Sequence, residues 1–224
     1  MEYFSWPQNI EMIDKVEMAS RRPRINKMVL INSLKYSFVQ GEQYSLRRIM
    51  ANTFHNEIDV YGLGWNQGVI NYFRFYSKFF RSLFELKKDI QFAQSPVNPF
   101  LKNYKGVVDS KEILGNYQVA LIIENSLDYV SEKLFDALIH GVVPIYVGPE
   151  LSCFSIPDEI AIQCSPNPEE IFMKFAKLVR DPIQVNELRQ AGITFLNSDL
   201  GRRHDNRYVL KNLASRLREK ILWG

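Results

Sequence analysis

The stretch from Leu121 to Gly148 constrains the fold of this chain more than any other. It contains, in order, an apolar segment, a polar loop, an amphipathic segment and a second apolar segment. Gln118 to Ile123 is apolar on nearly every residue, which is typical of a strand covered on both faces. The helix is predicted to begin at an Asp128 N-cap and to end at Gly141, where a positive φ costs nothing. With Val142 to Val147 as the next strand, the pattern predicts a parallel βαβ unit with a right-handed crossover.

The polar loop after Ile123 lies where open parallel sheets bind their ligands, beyond the carboxyl ends of the strands. It carries Glu124 and Asn125, and Glu132 and Lys133 follow at the start of the helix. A carboxylate at this place can accept hydrogen bonds from a ribose diol, and a lysine can meet a phosphate. Taken alone, Glu132 and Lys133 are each better explained as solvated surface groups.

The composition limits the class of protein. The chain has 224 residues, 46% hydrophobic and 24% charged, which is enough for one large globular domain or two small ones. Its formal net charge of +3 is too small to indicate nucleic-acid binding. No apolar run approaches the ~20 residues of a membrane helix, and no signal peptide is evident. We therefore expect a cytoplasmic protein, with peripheral membrane contact as an alternative.

The rest of the chain alternates between predicted strands and helices. Residues 1–25 are predicted to form an N-terminal arm or short helix, and residues 26–224 an α/β domain. The Gly62-x-Gly64 pair lacks the third glycine of a dinucleotide fingerprint and is interpreted as a flexible strand end. The predicted strands are Lys27 to Ile31, Ile58 to Tyr61 and Ile160 to Ile162; the predicted helices are Leu46 to His55 with a Ser45 cap, Pro168 to Leu178, Val185 to Leu196 and Tyr208 to Leu222; Glu150 to Pro157 and Asp199 to Asn206 are predicted loops.

A long helix is predicted at about residues 69–90, with an unusual number of aromatic residues. The remainder of the helix surface is basic. The broad aromatic face predicts core packing, and the alternative is contact with a membrane surface or a partner, including a second copy of the chain. The residues assigned to this face are Tyr72, Tyr76, Phe79, Phe80, Leu83 and Phe84.

The central unit resembles the α1,3/α1,4-fucosyltransferase family. Their donor domain carries a run similar to Y-K-F-x-L-x-F-E-N-S, then D-Y-V-T-E-K-L, then G-x-V-P-I-Y-x-G. This chain has Tyr117 to Ser126, then Asp128 to Leu134 with Ser131 in place of threonine, then Gly141 to Gly148. Upstream, Arg47 stands twelve residues before Asp59, a spacing similar to the family's.

The resemblance implies a fold and a set of site residues. Family members have two Rossmann-like halves in the GT-B arrangement, so we expect an α/β, Rossmann-like doubly wound parallel sheet forming a single GT-B-type donor half. That half binds GDP-fucose without a metal in the site and without a cofactor. The implied donor-binding residues are Arg47 and Lys133 for the diphosphate, Glu132 for the ribose hydroxyls, Tyr129 against the nucleotide, and Asn125 and Glu124 for orienting the sugar or the loop.

The implied activity is transfer of fucose from GDP-fucose to a glycan acceptor with inversion. In the family, an acceptor-binding half supplies the carboxylate base, and residues 1–25 are too few to contain such a half. No catalytic base is therefore assigned. The alternative is a module that binds a nucleotide sugar or a partner and lacks its own acceptor domain and base.

Overall fold

A single parallel sheet forms the centre of the protein. The computed structural model describes residues 24–84, 98, 101–108 and 111–223. All six strands of the sheet are parallel, and their order is β3-β2-β1-β4-β5-β6, the order of a Rossmann fold. The strands are β1 (Ile25–Ile31), β2 (Ile58–Tyr61), β3 (Tyr104–Gly106), β4 (Tyr117–Ile123), β5 (Val143–Val147) and β6 (Ile162–Gln163).

Helices connect the strands and cover the two faces of the sheet. The α-helices are α1 (Tyr44–Thr53), α2 (Ile70–Phe84), α3 (Glu132–Ile139), α4 (Pro168–Leu178), α5 (Pro182–Asn197), α6 (Asp199–Arg202) and α7 (Asn206–Trp223); 3-10 helices span Lys111–Asn116, Leu151–Phe154 and Asp158–Ile160. Among the described helices, none has both the length and the apolar character needed to cross a membrane.

Strand β4 is buried on both faces of the sheet, which explains its continuously apolar sequence. Ala120 and Ile122 face one buried cluster, which includes residues of α3 and α5. The alternate residues Val119, Leu121 and Ile123 face a second cluster, which includes residues of α1 and α4. Each fully buried aliphatic side chain of this kind stabilises the fold by roughly 1.5–3 kcal/mol. The predicted doubly wound α/β architecture is confirmed.

The βαβ unit forms as predicted, except at the start of its helix. Strands β4 and β5 are parallel, with Val119 opposite Val143, and Gly141 has the expected positive φ of 61°. The N-cap is Ser131, whose side chain accepts from the backbone N–H of Lys133. The prediction of an Asp128 cap was wrong because the loop continues for three more residues before the helix begins.

The start of α1 also differs from the prediction. Ser45 was predicted to cap this helix, but it lies inside the helix, which begins at Tyr44. The carboxylate of Glu42 takes the capping role, accepting from the backbone N–H groups of Tyr44 at 2.6 Å and Ser45 at 3.2 Å. A carboxylate at a helix N-terminus also interacts favourably with the helix dipole.

Helix α2 buries a face that overlaps the predicted one only in part, since Phe79 of the predicted face packs against the buried aromatic residues. Its described span is Ile70–Phe84, and residues 85–90 of the prediction lie outside the described part. Phe75 is 5% exposed, and its ring centroid lies 5.6 Å from that of Tyr36 and 5.4 Å from that of Phe38. Tyr76 and Phe80, which the prediction placed on the packing face, are 48% and 53% exposed. Only part of the aromatic surface is therefore core.

Several shorter segments correct the sequence interpretation. The predicted loops 150–157 and 199–206 contain a 3-10 helix and helix α6 respectively. The predicted strand at 160–162 is shifted, because Asp158–Ile160 is a 3-10 helix and β6 follows it. Strand β3 was not predicted at all. The N-terminal arm was predicted over residues 1–25. Residues 1–23 lie outside the described part of the chain, and β1 already begins at Ile25.

Candidate functional site: a cationic cavity at the switch point of the sheet

A cavity of about 490 Å³ opens at the carboxyl ends of β1 and β4. These two strands are neighbours in the sheet, and the chain leaves β1 towards one side and β4 towards the other. This is the topological switch point, where open α/β sheets bind their ligands. The polar and charged residues that line the cavity are Asn32, Ser33, Lys35, Arg47, Asn125, Tyr129, Ser131, Glu132 and Lys133.

Arg47 is fixed at the end of β4 by backbone and side-chain acceptors. It lies on α1 and is 3% exposed. Its Nε donates to the carbonyl oxygen of Ile123 at 3.1 Å, and a terminal nitrogen donates to the same oxygen and to Asn125 Oδ1 at 3.0 Å. Burial lowers the pKa of Arg47, and the nearby carboxylate of Glu124 opposes that shift. Because an arginine starts from a very high pKa, the side chain stays a cation at neutral pH.

Asn125 links this cation to the loop that follows β4. Its side-chain nitrogen donates to the hydroxyl of Tyr129, and its backbone carbonyl accepts from the N–H of Gln43 at 3.1 Å. Burial raises the pKa of Tyr129, so its hydroxyl keeps its proton at neutral pH. The loop is thus tied to α1 on one side, and the Tyr129 ring is held at the cavity wall.

Lys133 supplies a second cation from the first turn of α3. Its Nζ donates to Ser131 Oγ at 2.9 Å, and the side chain is 16% exposed. Glu132 Oε1 lies 3.4 Å from the same nitrogen, on a side chain that is 48% exposed. The ammonium group therefore faces the cavity while neighbouring oxygens restrict its position.

Glu124 lies behind the cavity wall. It is fully buried, and one carboxylate oxygen accepts from the backbone N–H of Ser131 at 2.9 Å. The other oxygen lies 3.9 Å from Lys133 Nζ. Burial raises the pKa of Glu124, and Lys133 is the largest influence in the opposite direction. The carboxyl group thus holds the helix start and the lysine in place, and it is not among the cavity-lining residues.

The structure brings five of the six residues implied by the sequence to one cavity: Arg47, Asn125, Tyr129, Glu132 and Lys133. Lys35 also lines it and was not singled out from the sequence. Because this lysine lies in an irregular segment between β1 and α1, no periodic signal could mark it. Among the described residues lining the cavity, three cations face one carboxylate, Glu132, so the site favours an anionic ligand.

Gly62 allows the two strand ends beside the cavity to approach closely. It follows β2 with a φ of +128°, and a Cβ built there would lie 2.3 Å from the carbonyl oxygen of Asn32. The sequence interpretation of a flexible strand end was wrong, because the glycine is required by a tight backbone contact. Within the described residues, no group of three or more His, Cys, Asp or Glu side chains is arranged to hold a metal ion.

The chain has recognisable relatives among glycosyltransferases. No protein-family model matches it. A curated Arabidopsis thaliana protein, named a putative fucosyltransferase-like protein, is 46% identical over 50 residues. That match covers 21% of this chain and 10% of the relative, so it spans a small part of either protein.

Solved structures define the class of the fold. A glycosyltransferase from Rickettsia africae has a TM-score of 0.55 at 12% identity, covering 98% of this chain and 56% of that one. Anabaena HepE in complex with UDP-glucose has a TM-score of 0.54 at 9% identity, covering 93% and 56%. At such low identity these likenesses show the fold alone, and the chain has the Rossmann-like α/β fold found in GT-B glycosyltransferases.

The match to the curated relative and the sequence motifs together indicate a more specific similarity than the fold does. The chain resembles fucosyltransferases, and it spans about half the length of the solved glycosyltransferases that it matches.

Proposed function

We propose that this chain is the donor-binding half of a fucosyltransferase-like glycosyltransferase, with GDP-fucose as its donor. The observation that carries the proposal is the pair of cations, Arg47 and Lys133, that line one cavity at the switch point of a Rossmann-like sheet. A nucleoside diphosphate sugar carries its negative charge on the diphosphate. The cavity has the sign of charge and the place in the fold that such a ligand needs.

Arg47 and Lys133 would stabilise the leaving group. When the bond between the sugar and the diphosphate breaks, negative charge increases on the diphosphate oxygens. Cations that are already fixed in place can interact with that charge without reorganising. Arg47 is held by the carbonyl of Ile123 and by Asn125, and Lys133 by Ser131, so both satisfy this condition.

The remaining cavity residues fit the other parts of the donor. Glu132 is half-exposed at the cavity, and its carboxylate can accept two hydrogen bonds from a ribose diol. Tyr129 presents an aromatic ring for apolar contact with the nucleoside, while its hydroxyl is engaged by Asn125. Glu124 acts on the donor indirectly, by positioning Ser131 and Lys133.

The proposed reaction is a direct displacement at the anomeric carbon. An acceptor hydroxyl forms a bond to that carbon from the face opposite the diphosphate, the carbon–oxygen bond to the diphosphate breaks, and GDP leaves. The hydroxyl proton passes to a carboxylate base, and the configuration inverts. We assign no residue of this chain to the base.

One observation favours a second candidate, a donor-binding module that works with another polypeptide. Among the described residues lining the cavity, Glu132 is the one carboxylate, and it lies 3.4 Å from Lys133 Nζ. Because it is paired with a cation that the donor also needs, it is a poor base. In this candidate the acceptor site and the base come from elsewhere.

A transfer assay distinguishes the two candidates. The chain is incubated with GDP-fucose and a panel of fucosyltransferase acceptor glycans, and GDP release is followed beside the anomeric configuration of the product. An active transferase gives acceptor-dependent GDP release and an inverted product. A binding module gives saturable donor binding without release. Absence of binding to GDP-fucose and to other nucleotide sugars would refute both.

A further inference from the structure

Helix α2 carries an aromatic surface that is exposed in the described part of the fold. Phe73, Tyr76 and Phe80 are 72%, 48% and 53% exposed. We call these three residues the aromatic stripe. Apolar exposure continues at the start of the helix, where Val69 and Ile70 are 60% and 59% exposed. Isolated exposed apolar residues are ordinary, but three aromatic residues on consecutive turns of one helix form a continuous patch.

The aromatic stripe points away from the body of the protein. At about 100° per residue, its three members fall within about 60° of one another around the helix axis. The buried face includes Phe75, which is about 130° away from the centre of the stripe by the same geometry. Phe75 packs against Tyr36 and Phe38, so these described contacts lie on the side of α2 away from the stripe.

The charged residues of α2 are all basic. Ile70–Phe84 includes Arg74, Lys78 and Arg81 and no acidic residue. Around the axis these cations begin about 80° from Phe73, between the stripe and the buried face. Long basic side chains can extend along a helix so that their charged ends reach a neighbouring polar surface. The helix thus combines an outward apolar stripe with cations at its side.

The size of the stripe favours a membrane over a protein partner. Three aromatic side chains of ~200 Å² each, exposed to these fractions, present roughly 350 Å². A stable protein interface buries about 800 Å² on each partner, a little over half of it apolar, so it needs about 450 Å² of apolar surface. An interfacial helix requires less, because insertion of a few aromatic side chains acts together with attraction of basic residues to anionic lipids.

We propose that α2 docks this protein on an anionic lipid bilayer, with the aromatic stripe inserted at the headgroup level. Arg74, whose guanidinium donates to the side chain of Gln67, and Arg81 contact lipid headgroups beside it. Lys78 contributes less, because its Nζ donates to the carbonyl of Tyr36 at 3.1 Å and is held at the body of the domain. The proposal does not depend on which sugar nucleotide the cavity binds.

Vesicle co-sedimentation tests this docking. The whole chain is mixed with neutral phosphatidylcholine vesicles or with vesicles containing about a third phosphatidylserine. We expect binding to the anionic vesicles that weakens at 0.5 M salt and is at least tenfold weaker with neutral lipid. Phe73→Ser/Phe80→Ser should lower the partition coefficient roughly tenfold or more, and Arg74→Gln/Arg81→Gln should reduce the salt dependence.

A matched control is Met173→Ser/Ile183→Ser, which removes two side chains that are 63% and 71% exposed on other helices. It should bind vesicles like the wild type. Phe80→Trp provides a readout if the serine variant does not fold. The fluorescence emission of the introduced tryptophan, obtained by subtracting the wild-type spectrum, should shift to shorter wavelength on anionic vesicles.

Three results would overturn the proposal. One is failure of the wild type to bind anionic vesicles. Another is vesicle binding that is unchanged in Phe73→Ser/Phe80→Ser. The third is a wild type that does not bind vesicles but forms a dimer, where Phe73→Ser/Phe80→Ser is monomeric. A second copy of the chain would then cover the stripe.

Discussion

Lys133→Ala is expected to weaken binding of GDP by roughly 10- to 150-fold. A lysine ammonium 4 Å from one phosphate charge interacts by about 4 kcal/mol at an effective dielectric constant of 20. Part of this is lost because the ammonium already contacts Ser131 Oγ at 2.9 Å. Measured hydrogen bonds to charged groups contribute about 1.5–3 kcal/mol, which gives the stated range.

Isothermal titration with GDP measures the effect, and Lys174→Ala is the matched control. Lys174 lies on α4 away from the cavity, paired with Glu170 at 2.7 Å and 40% exposed. Removing it should leave the Kd for GDP within a factor of two of the wild type. Equal Kd values for Lys133→Ala and the wild type would refute the assignment of Lys133 to the diphosphate.

The same substitution has a separate effect on stability, and a second variant isolates it. Without Lys133, the buried carboxylate of Glu124 loses the cation 3.9 Å from its Oε2. Removing one cationic partner of a buried carboxylate is costly, so Lys133→Ala should lower the melting temperature. Lys133→Ala/Glu124→Gln should recover part of the stability and none of the GDP affinity, which separates folding from binding.

Three further predictions concern the fold. Gly62→Ala should destabilise by about 2 kcal/mol or more in urea unfolding, because the new Cβ would approach Asn32 O at a positive φ; unchanged stability would contradict the close contact. Burial lowers the pKa of His204 to about 4, so on acidification the histidine is protonated in the unfolded state before it is protonated in the folded state. The free energy of unfolding should therefore fall by roughly 3 kcal/mol as the pH decreases from 6.5 to 4. His204→Phe should flatten that pH profile. Phe75→Ala should cost about 3–5 kcal/mol and Phe73→Ala less than about 0.5 kcal/mol in thermal unfolding, and the reverse order would show that α2 buries the other face.

The sheet was predictable where strands are buried on both faces. Strand β4 has an uninterrupted apolar run, and such a run is typical of a strand that is buried on both faces of a sheet. Strand β3 was missed because three residues ending in Gly106 give no alternation and no apolar run. Its position is set by pairing with β2, which is a tertiary contact and leaves no local signal.

Helix boundaries were harder because several residues can cap the same helix. Asp128 and Ser131 both have side-chain oxygens, and the choice between them depends on how the loop is held. Glu124 decides it by accepting from the backbone N–H of Ser131. At α1, the cap comes from Glu42, outside the usual set of small polar caps.

The candidate site was predictable to the extent that its residues follow strand ends in sequence. Asn125 and Lys133 are close to β4 in the chain, and the carboxyl end of a parallel strand is a binding edge. Lys35 was missed because its segment is irregular. The sequence also could not show that Glu124 turns inward, because burial of a carboxylate depends on the packing around it.

The structure of the chain with GDP bound tests the central claim most directly. The account predicts diphosphate oxygens within hydrogen-bonding distance of the Arg47 guanidinium and Lys133 Nζ, with the ribose hydroxyls at Glu132. A nucleotide bound elsewhere on the chain, or no nucleotide at saturating concentration, would contradict it.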